Sequence, residues 1–341
     1  MSKVLIVTDA WHPQTNGVVR CLETLGTQLI AMGHEVRYLT PQGFWTVPLP
    51  TYPEIALSLV GVATIAAIIE QEAPDHIHIA TEGPLGLVAR YASLDAGLRF
   101  TTSYHTRYPE YVAARIPVPA EWTYGFLRWF HSAAEATLVP TRSMLDELAE
   151  RDFTNLREWT RGVDPDQFSP GPKTWFAGLP GPHLLYVGRV AVEKNIEAFL
   201  ALRTAGSKIV VGDGPARAEL EARYPGAVFM GRRTGEELSE IYRSADVFVF
   251  PSKTDTFGNV MIEALSSGLP VAAYPVTGPI DVLTDPACGA LDDNLQLAVE
   301  RALTLSREAA RAHASRFTWA RCAELFVDTL VPAQRLARRA A

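Results

Sequence analysis

Short continuous apolar runs alternate with longer segments in which apolar side chains return every three or four residues. The runs at Val4 to Thr8, Val36 to Thr40, His76 to Ala80, Phe100 to Tyr104 and Leu138–Val139 predict buried strands, as do Leu184 to Val187, Ile209 to Gly212, Val228 to Met230 and Val247 to Phe250. Between the first two runs, Val18, Val19, Leu22, Leu25, Leu29 and Met32 mark the inner face of a helix that Gly33 ends. Ile65 to Ile69, Ser143 to Glu150 and Val260 to Leu265 read as further helices, the last closed by Gly268. Three helical segments follow near 294–305, 306–315 and 318–330, and Trp319, Ala323, Phe326 and Leu330 give the last of them an apolar face. Strand and helix in alternation predict an α/β chain of doubly wound sheets.

Two interruptions break this rhythm. The Pro-rich stretch from Pro41 to Pro53 reads as a long excursion inside one domain. From Thr160 to Pro182 the chain carries Pro165, Pro170, Pro172, Pro180 and Pro182, which predicts a linker at 161–182 between a first domain at 1–160 and a second at 183–316. A length of 341 residues suits two domains of about 150 residues each. The net charge of −7 argues against a nucleic-acid partner, whose affinity comes from phosphate neutralisation by Lys and Arg. Cys21, Cys288 and Cys322 are far apart and lack metal-ligand spacing, which points to a reducing, cytoplasmic setting. Lys3 and Asp9 bound the first apolar run, and no stretch of about 18 apolar residues occurs, so neither a signal peptide nor a membrane span is expected.

Candidate chemistry collects where predicted strands end. After Val247 to Phe250, the segment Thr256-Phe257-Gly258-Asn259 would open a helix with free backbone N–H groups, suited to phosphate. Asp255 precedes those donors and Glu263 stands a little over one turn into the helix. This layout suits a nucleotide sugar; the alternative is an ordinary βα unit with Asp255 as a cap and Glu263 as a solvated charge. In Gly188-Arg189-Val-Ala-Val-Glu-Lys194-Asn195, the two cations bracket a helix start and would converge on a diphosphate. Asn16-Gly17 is a turn that would let backbone approach a ligand, or a plain βα turn. Glu82 and His105 each follow a strand, whereas His76 and His78 alternate with Ile77 and Ile79 and read as structural. Residues 107–131 mix Arg107, Tyr108, Tyr111, Arg115, Trp122, Tyr124, Phe126, Arg128, Trp129 and Phe130, as an interfacial segment does, or a core helix with snorkelling arginines.

Two acidic residues separated by seven others, Asp255 and Glu263, with Phe257-Gly258 after the first and Ala264-Leu265-x-x-Gly268-x-Pro270-Val271 after the second, resemble the signature of retaining family 4 glycosyltransferases. Most members carry Glu where this chain has Asp255. The resemblance implies the GT-B fold, two doubly wound Rossmann-like domains facing across a cleft, with Arg161-Gly-Val-Asp164 as the crossing loop and a helix at 317–341 returning to the first domain. It implies transfer of a hexose or hexuronic acid from a nucleotide diphosphate sugar, UDP-linked or GDP-mannose, with UDP favoured. Arg189 and Lys194 stabilise the leaving diphosphate, and His105 and Asp255 place the sugar. Gly17, Gly188, Gly231, Thr256, Phe257, Gly258, Asn259 and Glu263 complete the donor site, with the nucleobase near Asp213-Gly-Pro215 and Gly231-Arg232. No general base, metal or cofactor is implied, and Asp164-Pro-Asp166 in the linker is not read as a metal pair.

The wording of Thr8 to Arg20, of Thr81-Glu82-Gly83-Pro84-Leu85-Gly86 and of Tyr104 to Tyr111 resembles members that glycosylate diacylglycerol, and related mannosyltransferases. That implies a lipid acceptor, with Tyr108, Trp122, Arg128 and Trp129 at the acceptor or an anionic membrane surface on the cytoplasmic side. A dinucleotide enzyme is disfavoured because Thr8 to Gln14 lacks Gly-x-Gly-x-x-Gly. A non-catalytic nucleotide-sugar-binding protein remains an alternative.

Overall fold

A computed structural model describes residues 1–14, 16–49, 52–113 and 119–334. The chain divides after Thr160 and again before Trp319 into two compact units. Unit 1 runs β1 (Lys3–Val7), α1 (Gly17–Ala31), β2 (Glu35–Leu39), β3 (Thr46–Leu49), β4 (Tyr52–Ser58), α2 (Val62–Glu72), β5 (His76–Ile79), α3 (Pro84–Asp95), β6 (Thr101–Ser103), α4 (Tyr108–Ala113), α5 (Ala120–His131), β7 (Ala136–Val139), α6 (Arg142–Ala149) and β8 (Leu156–Glu158). Unit 2 runs β9 (His183–Val187), a 3-10 turn at Val192–Lys194, α7 (Ile196–Leu200), β10 (Ser207–Val211), α8 (Arg217–Arg223), β11 (Val228–Phe229), α9 (Gly235–Ser244), β12 (Val247–Phe250), α10 (Asn259–Ser266), β13 (Val271–Ala273), α11 (Pro279–Val282), β14 (Gly289–Leu291), α12 (Leu295–Ala302) and α13 (Arg307–Ala314). The helix α14 (Trp319–Thr329) then belongs to unit 1.

Each unit is built on a parallel six-stranded sheet, in the order β2-β1-β5-β6-β7-β8 in unit 1 and β11-β10-β9-β12-β13-β14 in unit 2. Their central strands are buried on both faces, which is why the sequence reads as apolar runs rather than alternation. In each sheet the order reverses beside the first strand: between β1 and β5, and between β9 and β12. Open parallel sheets bind ligands in the crevice at such a switch point, beyond the carboxyl ends of the strands.

Three segments differ from the sequence reading. The excursion at 41–53 contributes to a two-stranded antiparallel ribbon, β3 with β4. The segment 161–182 is not a free linker, because its apolar residues pack into unit 2. Phe168 is fully buried edge-on against Tyr242, and its carbonyl accepts from Ser266 Oγ and Arg311. The short strand β8, predicted by no apolar run, closes the edge of the first sheet. The helix α14 lays Cys322, Ala323 and Phe326 against Leu22 and Leu25 of α1, and Trp159 Nε1 donates to the Cys322 carbonyl at 3.0 Å.

Candidate donor and acceptor sites

The loops that leave β9 and β12 are bound to each other by side chains. Asn195, in a left-handed conformation, donates to the Pro251 carbonyl at 3.0 Å, and Thr254 Oγ1 donates to the Glu193 carbonyl at 3.1 Å. Lys194 Nζ donates to Asp255 Oδ1 at 2.5 Å. The other Asp255 oxygen is buried and accepts no hydrogen bond from the described residues. Half-buried Arg189 lies on the same loop as Lys194, and its carbonyl accepts from Tyr186 Oη at 2.8 Å. The backbone of this loop passes close to its neighbour: a Cβ on Gly212 would lie 1.8 Å from the Gly188 carbonyl oxygen.

Beyond Asp255 the chain turns on Gly258, whose φ of +86° suits glycine and whose Cβ position is filled by Met261 and the Phe250 ring. Gly258 is the N-cap of α10; no side chain caps that helix among the described residues, and Met261 N donates to the Gly258 carbonyl at 2.9 Å. Phe257 is buried, with its ring 5.9 Å from that of Phe317. Glu263 is not a solvated charge; it is buried and accepts from Tyr242 Oη at 3.0 Å. Nor is Asp255 a helix cap, since Gly258 takes that place. The expectation that Arg189 and Lys194 bracket a helix start also needs correction. A 3-10 turn follows Arg189, and α7 has only five residues, so the positive field there comes from the side chains rather than a macrodipole. Gly231, at φ +69°, accepts from Gly212 N at 2.9 Å and so joins the ends of β10 and β11.

In unit 1 the helix starts beside the switch point are already filled. Asn16 Oδ1 accepts from Val18 N and Val19 N at 3.0 and 3.1 Å, capping α1 at Gly17. Asp9 accepts from Thr81 Oγ1, Leu85 N and Gly86 N at 2.9, 2.8 and 3.1 Å, so it caps α3 from the loop after β1. Burial pushes the Asp9 pKa up, against the pull of those donors. In unit 2, by contrast, α10 lacks a side-chain cap among the described residues.

His105 follows Tyr104 at the end of β6, half-buried, with its ring 5.7 Å from that of Trp159. His78 lies within the sheet between Thr101 Oγ1 and Ser103 Oγ, at 2.9 and 3.1 Å, and burial lowers its pKa to about 3. The helix α5 is amphipathic in an unusual sense: Tyr124, Leu127 and Phe130 are buried, while Trp122, Phe126 and Trp129 form a stripe on the other face, 73%, 40% and 40% exposed. Tyr108 is exposed too. The arginines do not share this face as expected. Arg107 binds Glu110 and Glu147, and Arg128 donates to the Arg151 carbonyl at 2.9 Å. Arg115 and the basic tail at Arg335, Arg338 and Arg339 lie outside the described residues.

Comparison with known proteins follows the division into units. The model described as Glycosyltransferase Family 4 matches residues 15–167, and that described as Glycosyl transferases group 1 matches residues 181–306. A GDP-mannose-dependent alpha-mannosyltransferase of Mycobacterium tuberculosis is 32% identical over 315 residues, covering 85% of this chain and 83% of that one. The chain belongs to glycosyltransferase family 4. A more distant member, the alpha-monoglucosyldiacylglycerol synthase of Streptococcus pneumoniae, is 25% identical over 85% of this chain and 75% of its own. Among solved structures, the sucrose-phosphate synthase of Thermosynechococcus elongatus shares the fold, with a TM-score of 0.76 at 20% identity over 96% of this chain and 98% of that one. The fold class of this family 4 glycosyltransferase is GT-B, two parallel-sheet α/β domains.

The second unit of the glycosyltransferase thus brings Lys194 into contact with Asp255 and carries buried Glu263 on α10. Sequence reasoning missed Asp9 and Tyr242, and read Asn16 as part of a turn rather than as the cap of α1; these roles are visible only once the partner groups are placed. Among the described residues no helix is long and apolar enough to cross a membrane, and no three His, Cys, Asp or Glu side chains group as metal ligands. Asp164 instead accepts from Asp166 N and Gln167 N at 3.0 and 3.1 Å, as a turn cap does.

Proposed function

We propose that this enzyme is a retaining hexosyltransferase that moves a hexose from a nucleotide diphosphate sugar to a lipid hydroxyl. The observation that carries the donor half is the Lys194–Asp255 pair at the β9/β12 switch point, beside the uncapped start of α10. A diphosphate there meets Lys194, Arg189 and the first-turn amides near Thr256 and Asn259. The spare oxygen of Asp255 accepts from a sugar hydroxyl, and Glu263, steadied by Tyr242, accepts from the ribose. As the bond from sugar C1 to the diphosphate oxygen breaks, negative charge grows on the leaving group, and fixed cations in a partly buried site stabilise it. The acceptor hydroxyl bonds to C1 on the same face, and its proton passes to the departing phosphate. Asp255 orients the hexose, and no side-chain base or metal is required.

A relative that depends on GDP-mannose favours that donor over a UDP-sugar. A relative that acts as a diacylglycerol glycoside synthase, together with the exposed ring stripe on α5, favours a lipid acceptor met at a bilayer on the cytoplasmic side. With Arg107 and Arg128 engaged inside unit 1, the rings supply this contact and anionic lipid adds little through those two. The test is transfer from GDP-mannose or UDP-glucose to lipid in diacylglycerol-containing vesicles, with the product's anomeric configuration read by NMR. An α-linked glycolipid supports the proposal. An inverted linkage would refute retention, and donor hydrolysis without transfer would refute the lipid acceptor.

A further inference from the structure

A second polar cluster lies in unit 1 at the carboxyl ends of β5 and β6, and the transfer chemistry above gives it no task. Glu82, 7% exposed, stands just after β5, with its Oε1 3.2 Å from His131 Nε2; Nδ1 of the same ring lies 2.9 Å from Thr102 Oγ1. Tyr104, fully buried, follows β6 with its ring 6.1 Å from that of His131. On its other side Glu110 Oε1 accepts from Tyr124 Oη at 2.6 Å and from Arg107 Nη2 at 3.1 Å. Tyr104 and Tyr124 pack in one buried cluster, which joins the Glu82 and Glu110 sides, and burial raises the Tyr104 pKa.

Four atoms of this cluster, Glu82 Oε2, Tyr104 Oη, Arg107 Nε and Glu110 Oε2, are buried and have no hydrogen-bond partner among the described residues. Buried polar groups are nearly always bonded, so four orphans in one cluster call for a ligand or for internal solvent. Two of them only accept, one only donates, and the phenol does either. Two of the four orphans are carboxylate oxygens, Glu82 Oε2 and Glu110 Oε2, which a phosphate would meet with like charge. A neutral ligand that both gives and takes hydrogen bonds fits it, which is the chemistry of adjacent hydroxyl groups. The cluster opens to solvent on the side of Glu110 and Glu147, whose side chains are 25% and 20% exposed.

We propose that this cluster receives the head group of the acceptor, and that the head group is an uncharged polyol rather than a phosphate ester. Hydroxyls next to the reacting one donate to Glu82 and Glu110 and accept from Arg107 and Tyr104. The proposal rests on the transferase reading and narrows its acceptor. The test compares phosphatidylcholine vesicles doped with monoglucosyl diacylglycerol or with phosphatidic acid, for the parent, Glu82→Gln and Tyr104→Phe. The expected result is transfer to the glucosyl lipid over phosphatidic acid, with acceptor KM about tenfold higher in each variant and nucleotide-sugar binding unchanged by calorimetry. An unchanged acceptor KM in both variants would mean internal solvent only and overturn the proposal, as would a preference for phosphatidic acid. Direct binding of octyl glucoside, followed by saturation-transfer NMR, separates the two levels of inference. Binding that Glu82→Gln weakens supports the subsite even if the parent transfers to no lipid, in which case the transferase reading alone falls. Binding that the substitution leaves intact refutes the subsite.

Discussion

Lys194 Nζ sits 2.5 Å from Asp255 Oδ1, so one ion pair joins the loop after β9 to the loop after β12 at the point where the second sheet reverses its strand order. Both side chains are 19% exposed, which leaves the pair reachable by a ligand while shielding it from most solvent screening. In the proposed mechanism the pair holds a cation for phosphate and a carboxylate for sugar before the donor arrives, and such preorganisation lowers the cost of charge separation.

Replacing Arg189 or Lys194 with Ala removes a fixed positive charge where the diphosphate gains negative charge. The expected loss is about 2–4 kcal/mol in transition-state stabilisation, read from kcat/KM. For Lys194 the loss includes the repulsion of an unpaired Asp255. Lys194→Ala/Asp255→Ala should therefore fall short of the sum of the single losses. An Arg189→Ala enzyme with unchanged kcat/KM would contradict the assignment.

Turnover should be insensitive to chelation. In the proposed mechanism Arg189 and Lys194 neutralise the diphosphate in place of a divalent ion, and Asp164 spends its side chain on capping a turn. Activity measured after dialysis against EDTA should equal that of the untreated protein; loss restored by Mg²⁺ or Mn²⁺ would refute the mechanism.

The fold was legible because buried parallel strands write themselves as unbroken apolar runs, and helices such as α1 carry a clear inner face. The segment 161–182 misled because proline and glycine mark irregular backbone, and irregular backbone can still be packed: Phe168 is as buried as any core strand residue. At the donor site, Lys194 and Asp255 are 61 positions apart in sequence, and local pattern cannot show that they touch. The resemblance to a family put both in one donor site without pairing them. It offered nothing for Tyr242 beneath Glu263 or for Asp9 capping α3, because those contacts depend on packing rather than on spacing. The arginines of residues 107–131 misled for a related reason: composition counts charges, and only placement shows Arg128 spent on a carbonyl.

The ring stripe on α5 gives a membrane prediction. Trp122, Phe126 and Trp129 share one exposed face, so Trp122→Ala/Trp129→Ala should reduce vesicle binding about tenfold or more. Because Arg107 and Arg128 are engaged internally, binding should depend little on salt. Vesicle co-sedimentation at low and high ionic strength checks both statements; a variant that sediments like its parent would refute the docking face.

His78 makes stability depend on pH. Its folded pKa of about 3 lies below the ordinary value of 6.5, so below pH 6.5 the unfolded chain takes up a proton that the folded chain does not. The stability that the neutral ring permits is full above that pH and falls by about 1.4 kcal/mol per pH unit as pH drops toward 3. His78→Gln lacks this loss. Urea unfolding of both proteins at pH 7, 6 and 5 should show the parent losing more stability than the variant; parallel curves would contradict the burial of an uncharged ring.

Nucleotide-sugar binding by the second unit's cations is tested most directly by thermal unfolding of the purified protein with GDP-mannose, UDP-glucose and the free nucleotides. A donor at 100 times its Kd should stabilise the parent by about 2.7 kcal/mol, GDP-mannose should give the larger shift when the donors are compared at equal concentration, and Arg189→Ala/Lys194→Ala should abolish it. A parent that none of these ligands stabilises, or a double variant stabilised as fully as the parent, would contradict it.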